Sequence, residues 1–146
     1  MDTVFPPSLE VAFDASVLYG PDNATPRSGA LGYVVVCGAT SLFECSRSVD
    51  AFVSNTALEY RALLEAVAAV DRAFDRVASL HVCGDADVVL RACDPADGMV
   101  PNGRVERRRV AGIREHVADV PEVTYRSVPS PHNERAHQLA RAGHER

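Results

Sequence analysis

The chain has 146 residues, 47% hydrophobic and 24% charged, with a formal charge of −5 at pH 7. These values suit one globular domain spanning 1–146 and exclude a disordered tail, a collagen-like repeat and a disulfide-stapled miniprotein. A pI near 5.5 argues against a general basic coat for nucleic acid or anionic membrane, though not against a local basic site. The longest apolar run, Leu31–Cys37, is broken by Gly32 and is too short to cross a bilayer, so no membrane partner is expected. Met1-Asp2-Thr3-Val4 has no basic flank and no apolar h-region, which makes the expected location cytoplasmic. All fifteen cationic residues are Arg, as a GC-rich genome would give. Cys37, Cys45, Cys83 and Cys93 form no Cys-x-x-Cys pair and read as reduced thiols, not as a zinc site.

In chain order, Ser8–Phe13 alternates apolar Leu9, Val11 and Phe13 and reads as a strand ending at Asp14. Residues 17–28 mix Gly, Pro, Asn, Asp and Thr, the composition of a long loop. Ala30–Cys37 and Leu42–Val49 read as a hairpin about a Gly38-Ala39-Thr40-Ser41 turn. A helix follows, capped by Ser54 or Thr56, with Glu59 three residues after Thr56 as a capping-box partner. Val77–Cys83 is a fourth strand, Ala86–Cys93 a short helix, and Asp94–Gly103 a loop. Arg104–Val117 is a polar helix, Val123–Val128 a fifth strand, Pro129-Ser130-Pro131 a break, and Asn133–Ala142 a closing helix. The order β-β-β-α-β-α-α-β-α implies three antiparallel strands, then two strands returning parallel through helices.

The residues themselves point to a site. Glu59 heads the apolar stripe Ala62, Leu63, Ala66, Val67, Val70 and Phe74, so its carboxylate starts the core-facing side of a helix. A buried lone carboxylate is costly; either it caps the helix or it serves chemistry. Asp14 and Asp85 each follow an apolar strand, where ligands bind in such sheets. A turn or N-cap role competes for either Asp alone. Three acids converging at one sheet end would instead bind a hard divalent cation.

Four blocks carry a resemblance. Phe13-Asp14-Ala15-Ser16 resembles Asp-Gly-Ser at the end of a first strand. Asn55-Thr56-Ala57-Leu58-Glu59-Tyr60-Arg61-Ala62-Leu63 is similar to Asn-Asn-x-Ala-Glu-Tyr-x-Ala-Leu. Gly84-Asp85-Ala86-Asp87-Val88-Val89 resembles Gly-Asp-Ser-Gln-Leu-Val. Asn133-Glu134-Arg135-Ala136-His137-Gln138-Leu139-Ala140 is similar to Asn-x-x-Ala-Asp-x-Leu-Ala. Together, in this order, they resemble the type 1 ribonuclease H family from Val11 to Ala142.

The resemblance implies an α/β ribonuclease H-like fold: a five-stranded mixed sheet with helices on both faces. It implies an endonuclease that cuts the RNA strand of RNA–DNA hybrids with two Mg²⁺ or Mn²⁺ ions, and a monomer. Asp14, Glu59 and Asp85 are the implied metal ligands, and His137 stands at the fourth acid's position. An imidazole ligates Mn²⁺ but suits Mg²⁺ poorly. His132, in the last strand-to-helix loop, is implied to move protons or help product leave. Ala15, Ser16, Asn55, Thr56 and Asn133 fall at implied nucleic-acid contacts. Ala15 stands where Gly allows close approach of the hybrid, and Asp87 replaces a Gln and would repel phosphate. The helix bearing Arg104, Arg107, Arg108, Arg109 and Arg114 is either a solvated face or a phosphate-tracking patch formed by Arg104, Arg107 and Arg108. Two rival readings are an impaired nucleic-acid-binding module and a protein-interaction domain.

Overall fold

The computed structural model describes residues 5–22, 25–50 and 54–145. Strands β1 (Ser8–Tyr19), β2 (Pro26–Cys37) and β3 (Thr40–Val49) lead into helix α1 (Asn55–Ala73). Strand β4 (Ser79–Gly84), helices α2 (Asp87–Cys93) and α3 (Arg104–His116), and strand β5 (Glu122–Ser127) follow. A 3-10 turn at Ser130–Asn133 runs straight into α4 (Glu134–Ala142), and a second at Gly143–Glu145 closes the chain. The sheet order is β3-β2-β1-β4-β5. The first three strands are antiparallel, and β4 and β5 run parallel to β1, as the connection lengths require.

Alternation along the strands divides the molecule into two unequal layers. Phe13, Ala15, Leu31, Tyr33 and Val35 join Leu58, Tyr60, Leu63, Val67 and Ile113 in the main apolar core beneath α1 and α3. On the other face Ala30 and Val34 are buried with Ala136, Leu139 and Ala140 of α4. That second layer is thin because the sheet admits α4 closely at Gly32. A methyl group there would lie 2.4 Å from the Ala140 nitrogen and 2.7 Å from the Leu139 carbonyl carbon. Ser46, paired with Gly32 across the sheet, donates its hydroxyl to the Leu139 carbonyl at 2.6 Å.

Two expectations are corrected here. The first strand does not stop at Asp14, and residues 17–28 are not one long loop. β1 and β2 stay paired through Leu18↔Ser28 to Tyr19↔Pro26, and Gly20 N–H donates to the Thr25 carbonyl at 2.9 Å. Asp22 accepts from the Thr25 amide and hydroxyl, at 3.0 and 2.6 Å. Turn-forming residues marked the reversal, but ladder hydrogen bonds carry Ser28 and Gly29 as strand. The second correction concerns the start of α1. Ser54 is the N-cap, its hydroxyl accepting from Ala57 N–H at 3.1 Å. Thr56 and Glu59 therefore make no capping box, which frees the Glu59 carboxylate for another role.

Gly32→Ala should lower stability by roughly 1–3 kcal/mol, the range for an overpacked interior site. Urea unfolding measures it; an unchanged midpoint would mean that α4 is not seated on the sheet as described.

Candidate active site

β1 pairs with β4 only from Ser8↔Ser79 to Ala12↔Cys83. Asp14 and Asp85 each stand two residues beyond that last pair, where the strands part. Gly84 lets the Phe13 ring slide under the end of β4; a Cβ there would meet the ring at 2.8 Å. Asn133, 2% exposed, donates its amide to the freed Phe13 carbonyl at 2.9 Å, and its own Oδ1 is buried without a partner. Val128 N–H donates to the Gly84 carbonyl at 2.8 Å.

Three carboxylates face this opening. Asp14 is 6% exposed. Burial, with the Asp85 charge adding to it, raises its pKa above the usual range, against the His137 hydrogen bond that lowers it. Glu59, half-buried on the second turn of α1, is pushed up to about 7, first by burial and then by the charges of Asp14 and Asp85. Each carboxylate has one side-chain hydrogen-bond donor. Asn55 Nδ2 donates to Glu59 Oε1 at 2.6 Å, Ser130 Oγ to Asp85 Oδ2 at 2.8 Å, and His137 Nδ1 lies 2.7 Å from Asp14 Oδ2. An ionised carboxylate only accepts, so Nδ1 carries the proton and Nε2 of the neutral ring keeps its lone pair.

These donors fit a hard divalent cation: three carboxylates share uncompensated charge, and the ion pair they have among the described residues is with His137. Among the described residues no three His, Cys, Asp or Glu side chains are grouped closely enough to hold a metal ion as they stand.

The other expected contacts are placed less uniformly. Asn55 and Thr56 are exposed at the start of α1. Ala15 points its methyl into the main core, so it does not stand before the opening. The Ser16 hydroxyl meets His144 Nε2 at 2.9 Å, and Ser28 meets the same ring's Nδ1 at 2.7 Å. Asn133 is buried structure, as above. His132 is exposed beside it.

The arginine cluster splits by function. Arg109 donates to the Ala57 carbonyl at 2.5 Å, and Arg114 to the Cys93 and Ala92 carbonyls at 3.2 and 3.1 Å. Both fasten α3 to its neighbours. Arg107 lies against the Pro101 and Asn102 carbonyls at 3.3 and 2.5 Å. Arg104 and Arg108 are exposed, one turn apart. Sequence reasoning missed Ser130, which it took for part of a break, as well as His144 and the anchoring role of Arg109.

No family model matches the sequence, and no curated protein matches it. Solved structures do. Ribonuclease H1 of the halophilic archaeon Halobacterium salinarum is 25% identical, with a TM-score of 0.76 over 93% of this chain and 96% of that one. The chain has the ribonuclease H-like fold. The N-terminal ribonuclease H domain of rv2228c from Mycobacterium tuberculosis has the same fold: 16% identity, TM-score 0.81, 95% and 94% coverage. So does LC11-RNase H1, isolated from compost and solved with an RNA/DNA hybrid: 18% identity, TM-score 0.80, 94% and 97% coverage. The four sequence blocks fall on β1, α1, the β4–α2 junction and α4.

The raised Glu59 pKa has a stability consequence of definite sign. Between about 4.5 and about 7 the folded protein holds a proton that the unfolded chain has lost, so metal-free stability falls as pH rises through that window. Glu59→Gln should shrink the fall and raise the melting temperature at pH 8 by a few degrees; Asp14, raised in the same sense, keeps part of the slope. Melting curves from pH 4 to 8 check this, and a variant with the wild-type slope would remove Glu59 from the cluster.

Proposed function

We propose that this protein is a metal-dependent endoribonuclease that hydrolyses the RNA strand of RNA–DNA hybrids. The observation that carries the reading is the convergence of Asp14, Glu59 and Asp85 beyond the last β1–β4 pair, on a fold shared with ribonuclease H1 structures. One of those similar structures holds an RNA/DNA hybrid.

Asp14, Glu59 and Asp85 would hold two divalent cations. When bound, such ions supply Lewis-acid polarisation of the scissile phosphate and make water a better nucleophile at neutral pH. The chain's own residues do the rest. Asn55 fixes one oxygen of Glu59. Asp14 fixes the His137 ring with its Nε2 lone pair available, a donor that favours Mn²⁺ over Mg²⁺. His132, exposed beside the opening, serves proton transfer or product release. Arg104 and Arg108 contact phosphates beyond the scissile one. Arg107, the third member of the expected patch, is instead held by loop carbonyls.

A labelled hybrid incubated with Mg²⁺ or Mn²⁺ tests the activity. Asp14→Asn and Asp85→Asn should each lower cleavage by orders of magnitude while leaving the fold intact; undiminished cleavage in both would overturn the two-metal reading. Activity should be higher in Mn²⁺ than in Mg²⁺, and His137→Asp should narrow the gap. Should His137→Ala leave rate and metal response as they were, His137 is no part of the site.

A separate measurement addresses the arginines. Replacing Arg104 and Arg108 together with Ala should weaken binding to all hybrid sequences and flatten log affinity against log salt by about 0.9 per lost phosphate contact. An unchanged affinity and salt slope would make α3 a solvated face.

A further inference from the structure

We propose that Ser130 is a positioning residue for Asp85, and that the segment from Val128 to His137 sets the geometry of both sides of the carboxylate cluster. This deepens the reading above, since it takes Asp85 as a cation ligand.

Three observations carry it. The first is where the Ser130 hydroxyl goes. Ser130 opens a 3-10 turn whose N-cap is Pro129, and no side chain caps that turn. A serine at a helix start commonly satisfies local amides. Here the hydroxyl instead crosses to Asp85 Oδ2, 45 residues away in the chain, at 2.8 Å. One oxygen of Asp85 is thereby fixed by a neutral donor, leaving Oδ1 to meet a cation.

The second is that the same segment is fastened on both sides of the parting strands. On the β4 side it is held by Val128 N–H to the Gly84 carbonyl and by Ser130 to Asp85. On the β1 side it is held by Asn133 to the Phe13 carbonyl and by His137 to Asp14. The exposed His132 sits between these attachments. A shift of the segment therefore moves the partners of Asp14 and Asp85 together.

The third is electrostatic. Asp85 is one of three carboxylates at this opening, and its charge acts on Asp14 and Glu59. A hydroxyl donor steadies its carboxylate without adding a positive charge that would compete with an incoming cation. Hydrogen-bond partners of ligating carboxylates typically tune metal affinity by 10–100-fold.

Calorimetric titration of Mn²⁺ into the full chain tests the proposal without relying on activity. The proteins compared are wild type, Ser130→Ala, Ser130→Thr and Asp14→Asn, each checked for folding by circular dichroism. Ser130→Ala should raise the Mn²⁺ dissociation constant about ten-fold, and Ser130→Thr, which keeps the hydroxyl, should restore it. On labelled hybrid, Ser130→Ala should shift the metal-activation midpoint by the same factor. KM at saturating metal should stay at the wild-type value. A Ser130→Ala titration superimposable on wild type overturns the proposal alone. Wild-type binding that Asp14→Asn leaves intact overturns the cation site itself, and the proposal with it.

Discussion

Mutual repulsion among Asp14, Glu59 and Asp85 is the constraint around which the rest of this structure is arranged. Asp14 is all but buried, and Glu59 is held where its charge is disfavoured by its neighbours. The chain has fifteen arginines, yet the recorded ion pairs of those nearby lie elsewhere. Arg47 and Arg61 share Glu65, Arg135 takes Glu44, and Arg91 takes Asp87 and Asp97. The three site carboxylates receive one amide, one hydroxyl and one imidazole instead. These are hydrogen-bond donors, so the negative charge is steadied but not cancelled. A polar cluster left in that condition in low dielectric is destabilising for the fold alone. On the proposed reading, a bound divalent cation would offset that cost.

The unequal layers of the fold make the arrangement possible. The broad apolar core under α1 and α3 supplies most of the buried surface, and it carries Glu59 on the first turns of a long, well-anchored helix. The thin layer under α4 is built from Gly32 and small residues such as Ala30, Ala136 and Ala140. Its thinness brings α4 close enough for His137 and Asn133 to reach β1. A bulkier residue at 32 would push the helix away and lengthen both contacts. Packing at one glycine is thus coupled to electrostatics directly across the ladder, since Gly32 is the cross-strand partner of Asp14.

Much of this was legible in the sequence, for reasons that differ by element. The stripe from Ala62 to Val70 announced α1 because helical period is local, and the same stripe placed Glu59 at the edge of the core. Asp14 and Asp85 were visible because acids after apolar strands stand out. The antiparallel and parallel pairings followed from connection lengths. What the sequence hid was decided by distant partners. Residues 17–28 look like loop until β1 and β2 pair through them. Five arginines on α3 look alike until Ala57, Ala92 and Cys93 offer carbonyls to two of them. Ala15 looked like an obstacle to a substrate until the strand's alternation turned its methyl into the core. Ser130 carried no signal at all, because its hydroxyl answers to a carboxylate 45 residues earlier.

His137 shows how a departure from a sequence pattern gains meaning only in three dimensions. Judged by charge, a histidine in place of a fourth acid removes a cation ligand. An aspartate at that position would add a fourth negative charge beside a carboxylate that is already disfavoured, and it could not donate to Asp14 once ionised. The imidazole donates through Nδ1 to Asp14 Oδ2 and lowers the pKa of that acid against the effects of burial and Asp85. It does so while almost half of its side-chain surface remains open, at 47%, with Nε2 still carrying a lone pair. One side chain therefore relieves the metal-free cluster and retains a donor for a borderline cation. The carboxylate it replaces could serve only the loaded state.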